Sequence, residues 1–371
     1  MKTMSANFPR LWPWALASMI SLGSVLLFLG VYALVASQLA LTPDGHWPSF
    51  CKWDCAWYGS IAETGYNAAP RPDRSANYGF FPALPIAAAV IMKLSGLAFA
   101  SAGVIANGLA IFIFSFLVLL GRKSLNLANT REVLVFLAWF LVSPWSLYDH
   151  IPYSEMIFNM AAMGTFVFWR REQYLLAAIF GIVLTATRVT GTFLPIFLCL
   201  ETLYAERYRL VDFVLSLDRR IFSIAAMPLG LLSFLTYLYF HTGDFFAYFH
   251  IQESAWNHAF RNPVGILEAA MAGNGRAIYG LLAYFTVIPA LTAGMIWRRI
   301  PVVLGAFAMA CVTLPVLSMI DGQARYALAI FPVYLLAPSL PRILQYALAA
   351  ALLAGQFVIM YFWLLESPLL T

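Results

Sequence analysis

The sequence predicts an all-α polytopic membrane protein, and three observations carry that prediction. Hydrophobic residues fill 62% of the 371 positions and charged residues only 11%, with a mean hydropathy of +0.79. A soluble domain holds about a quarter of its residues as charges. The apolar residues come in successive runs, many of them near the roughly 20 residues a spanning helix needs, and Lys and Arg gather in short clusters between the runs. No stretch is polar enough for a separate soluble domain, so residues 1–371 read as one integral membrane domain.

The first run, Ala15 to Leu41, follows Lys2 and Arg10. It is too long for a signal-peptide core and lacks a convincing cleavage site, so it stays as the first spanning helix with Trp12 and Trp14 at the interface. Placing the N-terminus inside puts the clusters at Arg122, Lys123 and Arg131, at Arg170 and Arg171, at Arg207, Arg209, Arg219 and Arg220, at Arg298 and Arg299, and at Arg342 on the same side. The other eight of the 22 basic residues, among them Lys52, Arg71, Arg74, Arg188, Arg261 and Arg325, fall outside or at the outer boundary. This bias follows the positive-inside rule. The net charge of +5 is therefore read as topology and not as a sign of a nucleic-acid partner.

With this orientation the outer face receives two long connections, Thr42 to Phe80 and Asp244 to about Arg276. Loops of that length are usually functional. The Pro-containing stretch after the first loop, FFPALPIAAAVIMKLSGL, reads as a half-helix, because a full crossing there would carry Arg122 outside. About eleven crossings result. Tyr174 to Thr187 and Thr190 to Tyr204 are short for crossings, and the charged turn at Arg188 between them is expected to sink towards a cavity. Four cysteines make no disulfide framework; Cys199 and Cys311 read as core. No internal repeat is visible, which counts against transporters built from inverted halves.

The first outer loop continues as WDCAWYGSIAETGYN. From Trp53 to about Glu63 it reads as a short interfacial helix, with Asp54, Trp57, Tyr58 and Ile61 on one face. Asp54 between aromatic rings is the leading candidate for a general base, and it is equally suited to capping this helix. Arg188 and Arg325 lie at the outer ends of apolar runs, where a guanidinium needs a partner. Either each holds a phosphate through its planar fork, or it pairs with an acid such as Asp321 or Glu155, or it reaches for the headgroups. Tyr153-Ser154-Glu155 follows a loop with Asp149 and His150; Glu155 suits sugar hydroxyls, an arginine, or the first turn of its own helix. In the second loop Gln252 and Trp256 suit a sugar, though Trp is also the ordinary interface anchor. Asn77 and Tyr78 lie where they can line the same space. His46, Cys51, Asp54 and Cys55 do not match zinc spacing, and a Cys51–Cys55 bridge is awkward if the segment is helical.

The run WD-x-x-W-Y, IAETGY and NYGFFPALP resembles the first-loop signature of the PIG-V-like mannosyltransferases. Further segments follow in order: SPWSLYDHIPYSEMIF resembles the family's proline-to-Tyr-Ser-Glu stretch, ATRVTG its Ala-Thr-Arg-x-x-Gly turn, and QARYALAIFP its Arg-Tyr helix. That family is similar to the GT-C glycosyltransferases, multi-span enzymes taking a sugar from a polyprenyl phosphate on the non-cytoplasmic side. The resemblance implies a GT-C-like bundle and inverting transfer of a hexose, mannose by family, to a lipid, glycan or protein acceptor. It also implies an active site on the non-cytoplasmic side; no cofactor beyond the donor is expected, metal dependence is left open, and the compact chain with short inner loops points to a bacterial inner membrane with a periplasmic site.

By the same resemblance Asp54 is the base and Arg188 and Arg325 bind the donor phosphate. The candidate substrate contacts are Trp53, Trp57, Tyr58, Glu63, Tyr78, Tyr153, Glu155 and Tyr326 within those segments, with Gln252 and Trp256 added from the second loop on their residue types. One departure is the lack of a His near Trp57 or Tyr58. The chemistry agrees independently: an acceptor hydroxyl needs a carboxylate to take its proton, whereas a phosphate leaves as an anion stable at neutral pH. A transporter or flippase for a lipid-linked substrate is the rival, and it calls for intramembrane charge towards both faces.

Overall fold

The computed structural model describes residues 12–40, 50–71, 75–207, 211, 218–256, 263–318, 322–367 and 370. Lys2, Arg10, His46, Arg74, Arg209, Arg261 and Asp321, all weighed above, lie outside the described residues. Among those residues the chain is helical throughout, with no strand.

Among the described residues five helices are long and apolar enough to cross a membrane: Trp12–Gln38, Phe99–Gly121, Arg219–Thr242, Gly275–Ile296 and Arg342–Leu364. The first has 27 residues; at 1.5 Å per residue it is roughly 40 Å long, so it tilts or projects beyond a hydrocarbon core of about 30 Å. One further pair of helices passes the same test only when taken together, as a broken span or a re-entrant loop does. Thr130–Leu141 and Pro144–His150 meet at 72°, because Pro144 cannot continue the hydrogen-bond ladder. Shorter apolar helices, Ala83–Ser95, Tyr174–Thr185, Val189–Ala205 and Val302–Leu317, supply much of the rest of the expected bundle.

The helix Glu155–Arg170 is only 16 residues long yet buried on nearly every face. Small residues let its neighbours close on it. A Cβ on Gly164 would lie 2.2 Å from the Phe180 ring, and one on Gly121 would lie 2.3 Å from Val167. This central helix starts at the Tyr-Ser-Glu segment, so whatever fixes its N-terminus fixes Glu155. Asn107, fully buried inside the second long span, donates through Nδ2 to the carbonyls of Ile151 and Tyr153 and holds that turn.

Loops assigned to the same side by charge meet one another. Asn126 donates to the Arg298 carbonyl at 3.1 Å, Arg131 to Gln345 at 2.7 Å, and Arg170 to Glu201 at 2.7 Å. From the other set, His241 meets the Tyr66 carbonyl at 2.7 Å and Gln252 donates to Gly79 at 2.6 Å. The two long outer loops thus pack together, and their helices Asp54–Thr64 and Ala247–Trp256 roof the bundle.

Candidate active site

The interfacial helix begins at Asp54 and not at Trp53, and this changes the reading of the acid. Trp53 is the N-cap residue, with no side chain capping the first turn, so Asp54 is not the cap that its spacing also allowed. Its carboxylate turns inward instead. Arg325 Nη1 donates to Asp54 Oδ2 at 3.0 Å across 271 residues of sequence. Arg325 comes from the short helix Gln323–Leu328, just before an extended turn at Ile330.

Arg188 lies in extended backbone between Tyr174–Thr185 and the 3-10 turn Val189–Thr192. The break between two short helices lets its side chain reach the same space as Arg325. Its Nε and Nη2 donate to Ser154 Oγ at 3.2 and 3.1 Å, and Nη2 lies 2.5 Å from Glu155 Oε1. The same oxygen is 3.2 Å from Arg325 Nε. Neither Glu155 oxygen meets hydrogen-bond angles, so Glu155 acts as a charge held between two guanidinium groups.

Aromatic rings enclose the cations. Tyr326 accepts from Arg325 Nη2 at 2.9 Å, and both guanidinium carbons lie 4.9 Å from its ring centre. Tyr148 and Tyr153 face Arg325 at 5.2 and 5.3 Å. Such contacts hold a desolvated cation by about 2 kcal/mol each. Tyr58 donates to Ser154 Oγ at 3.1 Å. Burial raises its phenol above the ordinary value; Arg188 opposes the shift, while Asp54 and Glu155 add to it, so Tyr58 stays a neutral donor.

Most of these groups line one cavity of about 700 Å3, with Tyr148 and Ser154 behind its wall, a volume typical of a small-molecule site. Asp54, Arg188 and Arg325 reach it together with Trp53, Trp57, Tyr58, Tyr153, Glu155, Gln252, Trp256 and Tyr326. Glu63 does not; it is exposed, nine residues on from Asp54 and so on the opposite face of their helix. Tyr78 is buried in a separate apolar cluster with Phe81 and Phe234 and also leaves the cavity lining. Asn77 pins the loop, accepting from the Asn67 backbone at 2.8 Å and donating to Ser60 and the Gly65 carbonyl.

Several residues in or beside the cavity carry little signal in the sequence. Asn159, one turn below Glu155 on the same helix face, donates to the Ala329 carbonyl at 2.8 Å; the i, i+4 spacing from Glu155 was the available signal. Ser154 stood inside the Tyr-Ser-Glu segment, and its hydroxyl is the meeting point of Tyr58 and Arg188. Tyr248 and Thr187 carried no signal beyond their residue type. Cys311, taken as core, is buried and also lines the cavity wall. Cys51 and Cys55 are joined in a disulfide, possible because Cys51 precedes the helix; this removes both as thiolate metal ligands.

At the rim, Trp57 stacks on Phe80 with centroids 5.9 Å apart and meets Trp256 edge-on at 5.7 Å. Gly79 sits beneath: a Cβ there would lie 2.9 Å from the Trp256 ring. Gln252 is tied to the Gly79 carbonyl. An aromatic wall beside fixed amides suits the apolar face and hydroxyls of a pyranose.

No family profile and no curated protein matches the sequence. Among solved structures the chain is similar to ArnT from Cupriavidus metallidurans, crystallised bound to undecaprenyl phosphate, with a TM-score of 0.53 at 15% identity. The likeness covers 94% of this chain and 77% of ArnT. Among its described residues the chain therefore has an all-helical fold similar to that of ArnT, with several helices long and apolar enough to cross a membrane.

Proposed function

We propose that the chain is a membrane glycosyltransferase that moves a hexose from a polyprenyl-phosphate-linked donor to an acceptor hydroxyl on the non-cytoplasmic side, with inversion. The observation that carries this reading is the single acid–arginine cluster in the cavity, Asp54 and Glu155 against Arg188 and Arg325. The polyprenyl phosphate in the ArnT structure supports a donor of that class. Mannose rests on the motif resemblance alone.

Asp54 is the base because it is the acid within reach of an incoming acceptor. Its side chain is 29% exposed, whereas that of Glu155 is 2% exposed and closed off by both arginines. In one displacement the acceptor oxygen bonds to the anomeric carbon while the bond from that carbon to the phosphate oxygen breaks. Asp54 takes the hydroxyl proton, and polyprenyl phosphate leaves with the electron pair. No general acid is required for such a leaving group, in contrast to ordinary glycoside hydrolysis.

Arg188 and Arg325 stabilise the charge that develops on the leaving phosphate, through the forked donors that suit it. The two acids balance the two arginines before donor enters. A donor phosphate that draws Arg325 away from Asp54 frees the carboxylate for the acceptor, so donor binding arms the base. Tyr326, Tyr153 and Ser154 keep the guanidinium groups in place during that exchange.

The test is transfer from polyprenyl-phospho-mannose to candidate acceptors by purified protein. Wild type transfers sugar, and Asp54→Asn loses about 100-fold or more of kcat while donor binding is kept. An Asp54→Asn variant as active as wild type rules out the base.

A further inference from the structure

Trp53, directly before the proposed base, has φ 48° and ψ −113°. This is the second position of a mirror-image (type II′) turn, a place that glycine takes and side chains avoid. The turn closes in the usual way, with Cys55 N–H donating to the Lys52 carbonyl at 3.1 Å. Strained backbone of this kind persists only where its surroundings over-determine it.

Here the surroundings are identifiable. The Cys51–Cys55 disulfide spans the turn and closes a ring of five residues that contains both Trp53 and Asp54. Tyr153 OH donates to the Lys52 carbonyl at 2.9 Å, Lys52 Nζ donates to the carbonyls of Trp363 and Leu364 at 3.1 and 3.2 Å, and Trp53 meets Trp363 edge-on at 4.8 Å. Of these restraints only the disulfide is covalent. Asp54 follows the strained residue immediately, so the turn sets where the carboxylate points, towards Arg325.

We infer that the Cys51–Cys55 disulfide is a positioning element for Asp54: it holds the turn that aims the carboxylate, and its reduction disables transfer while sparing donor binding. The inference rests on Asp54 being the base, and it adds a dependence on an oxidising compartment, where such bonds persist. Reduction by dithiothreitol leaves thiols at Cys51 and Cys55 while the reagent closes to its cyclic disulfide. The chain then loses the covalent restraint on Trp53.

Three readouts on the purified full chain test this. Maleimide labelling of denatured, unreduced protein should give two adducts, at Cys199 and Cys311, and four after reduction; four without reduction overturn the inference. Carbodiimide-driven amine labelling of the folded protein, mapped by mass spectrometry, should modify Asp54 several-fold faster in Cys51→Ala/Cys55→Ala than in wild type, where the turn holds it against Arg325. Equal labelling overturns it. In the transfer assay that variant should lose roughly 10- to 100-fold of kcat, the scale of a misplacement of about 1 Å, with KM for polyprenyl-phospho-mannose unchanged. A raised KM at unaltered kcat contradicts a positioning role.

If the variant does not fold, dithiothreitol treatment of wild-type membranes replaces it. Activity then falls on reduction and returns on reoxidation with oxidised glutathione; activity indifferent to reduction of the bond overturns the inference. Wild type that transfers no sugar, with thiol counts and Asp54 labelling as stated, sinks the base reading and with it the effect on transfer, and leaves only the hold of the disulfide on the Asp54 carboxylate.

Discussion

The chain pairs arginine with acid in two settings. On loops that the charge bias assigns to the cytoplasm, Arg170 meets Glu201 at 2.7 Å, and Arg220 meets Asp218 and Glu206 at 2.6 and 2.9 Å, all with side chains at least a quarter exposed. In the cavity, Arg325 is 9% exposed and Glu155 2%, and each touches more than one charged partner. Exposed pairs contribute at most about 1 kcal/mol. Burying a pair costs desolvation that its attraction barely offsets, so a buried cluster is weak evidence for stability. The difference teaches that the surface pairs decorate the fold, while the cavity cluster needs a functional explanation, and a phosphate-bearing donor supplies one.

Breaking the cavity cluster gives the largest effect. Arg325→Ala leaves Asp54 and Glu155 without their shared cation and should cost about 3–5 kcal/mol, seen as a fall in detergent melting temperature, together with loss of transfer. Arg325→Lys keeps charge without the fork and should restore much of the stability but little activity. A melting temperature unchanged in Arg325→Ala would place the pair on the same footing as the surface ones.

Next comes Arg188→Ala. Ser154 and Glu155 keep other neighbours, so the chain should fold, while affinity for polyprenyl phosphate falls roughly tenfold, on the scale of about 1.4 kcal/mol. Acceptor KM should hardly move. Equal loss of donor and acceptor would mark a structural role.

Gly79→Ala sharpens the account of the rim. The added methyl meets the Trp256 ring and Gln252 Nε2, and overpacking of about 1–3 kcal/mol should appear as a raised KM with kcat near wild type. The smallest effects belong to the exposed surface pairs. Arg170→Ala and Arg220→Ala should each change stability by no more than about 1 kcal/mol and leave transfer intact; a large loss of activity would overturn the contrast.

How far the sequence reached follows from which signals are local. Hydropathy and basic clusters made the helical membrane fold legible, because a span announces itself within some twenty residues. The depth of Arg188 was legible too, since two short apolar runs must break between them. Asp54's partner was not. The pairing with Arg325 joins residues 271 apart, and no local pattern encodes it. A Cys51–Cys55 bridge is awkward only where both cysteines lie on one helix; the positive φ of Trp53, which no sequence pattern announces, sets Cys51 apart from the helix that starts at Asp54. Glu63 was drawn in by its motif, although the helical period alone turns it away from Asp54's face.

The most direct measurement is an experimental structure with a non-transferable polyprenyl-phospho-sugar analogue bound. The account predicts the phosphate on Arg188 and Arg325, the Arg325–Asp54 contact opened, and the Asp54 carboxylate facing the anomeric carbon on the side away from the phosphate. A phosphate seated elsewhere, with Asp54 still closed on Arg325 and distant from the sugar, would contradict it.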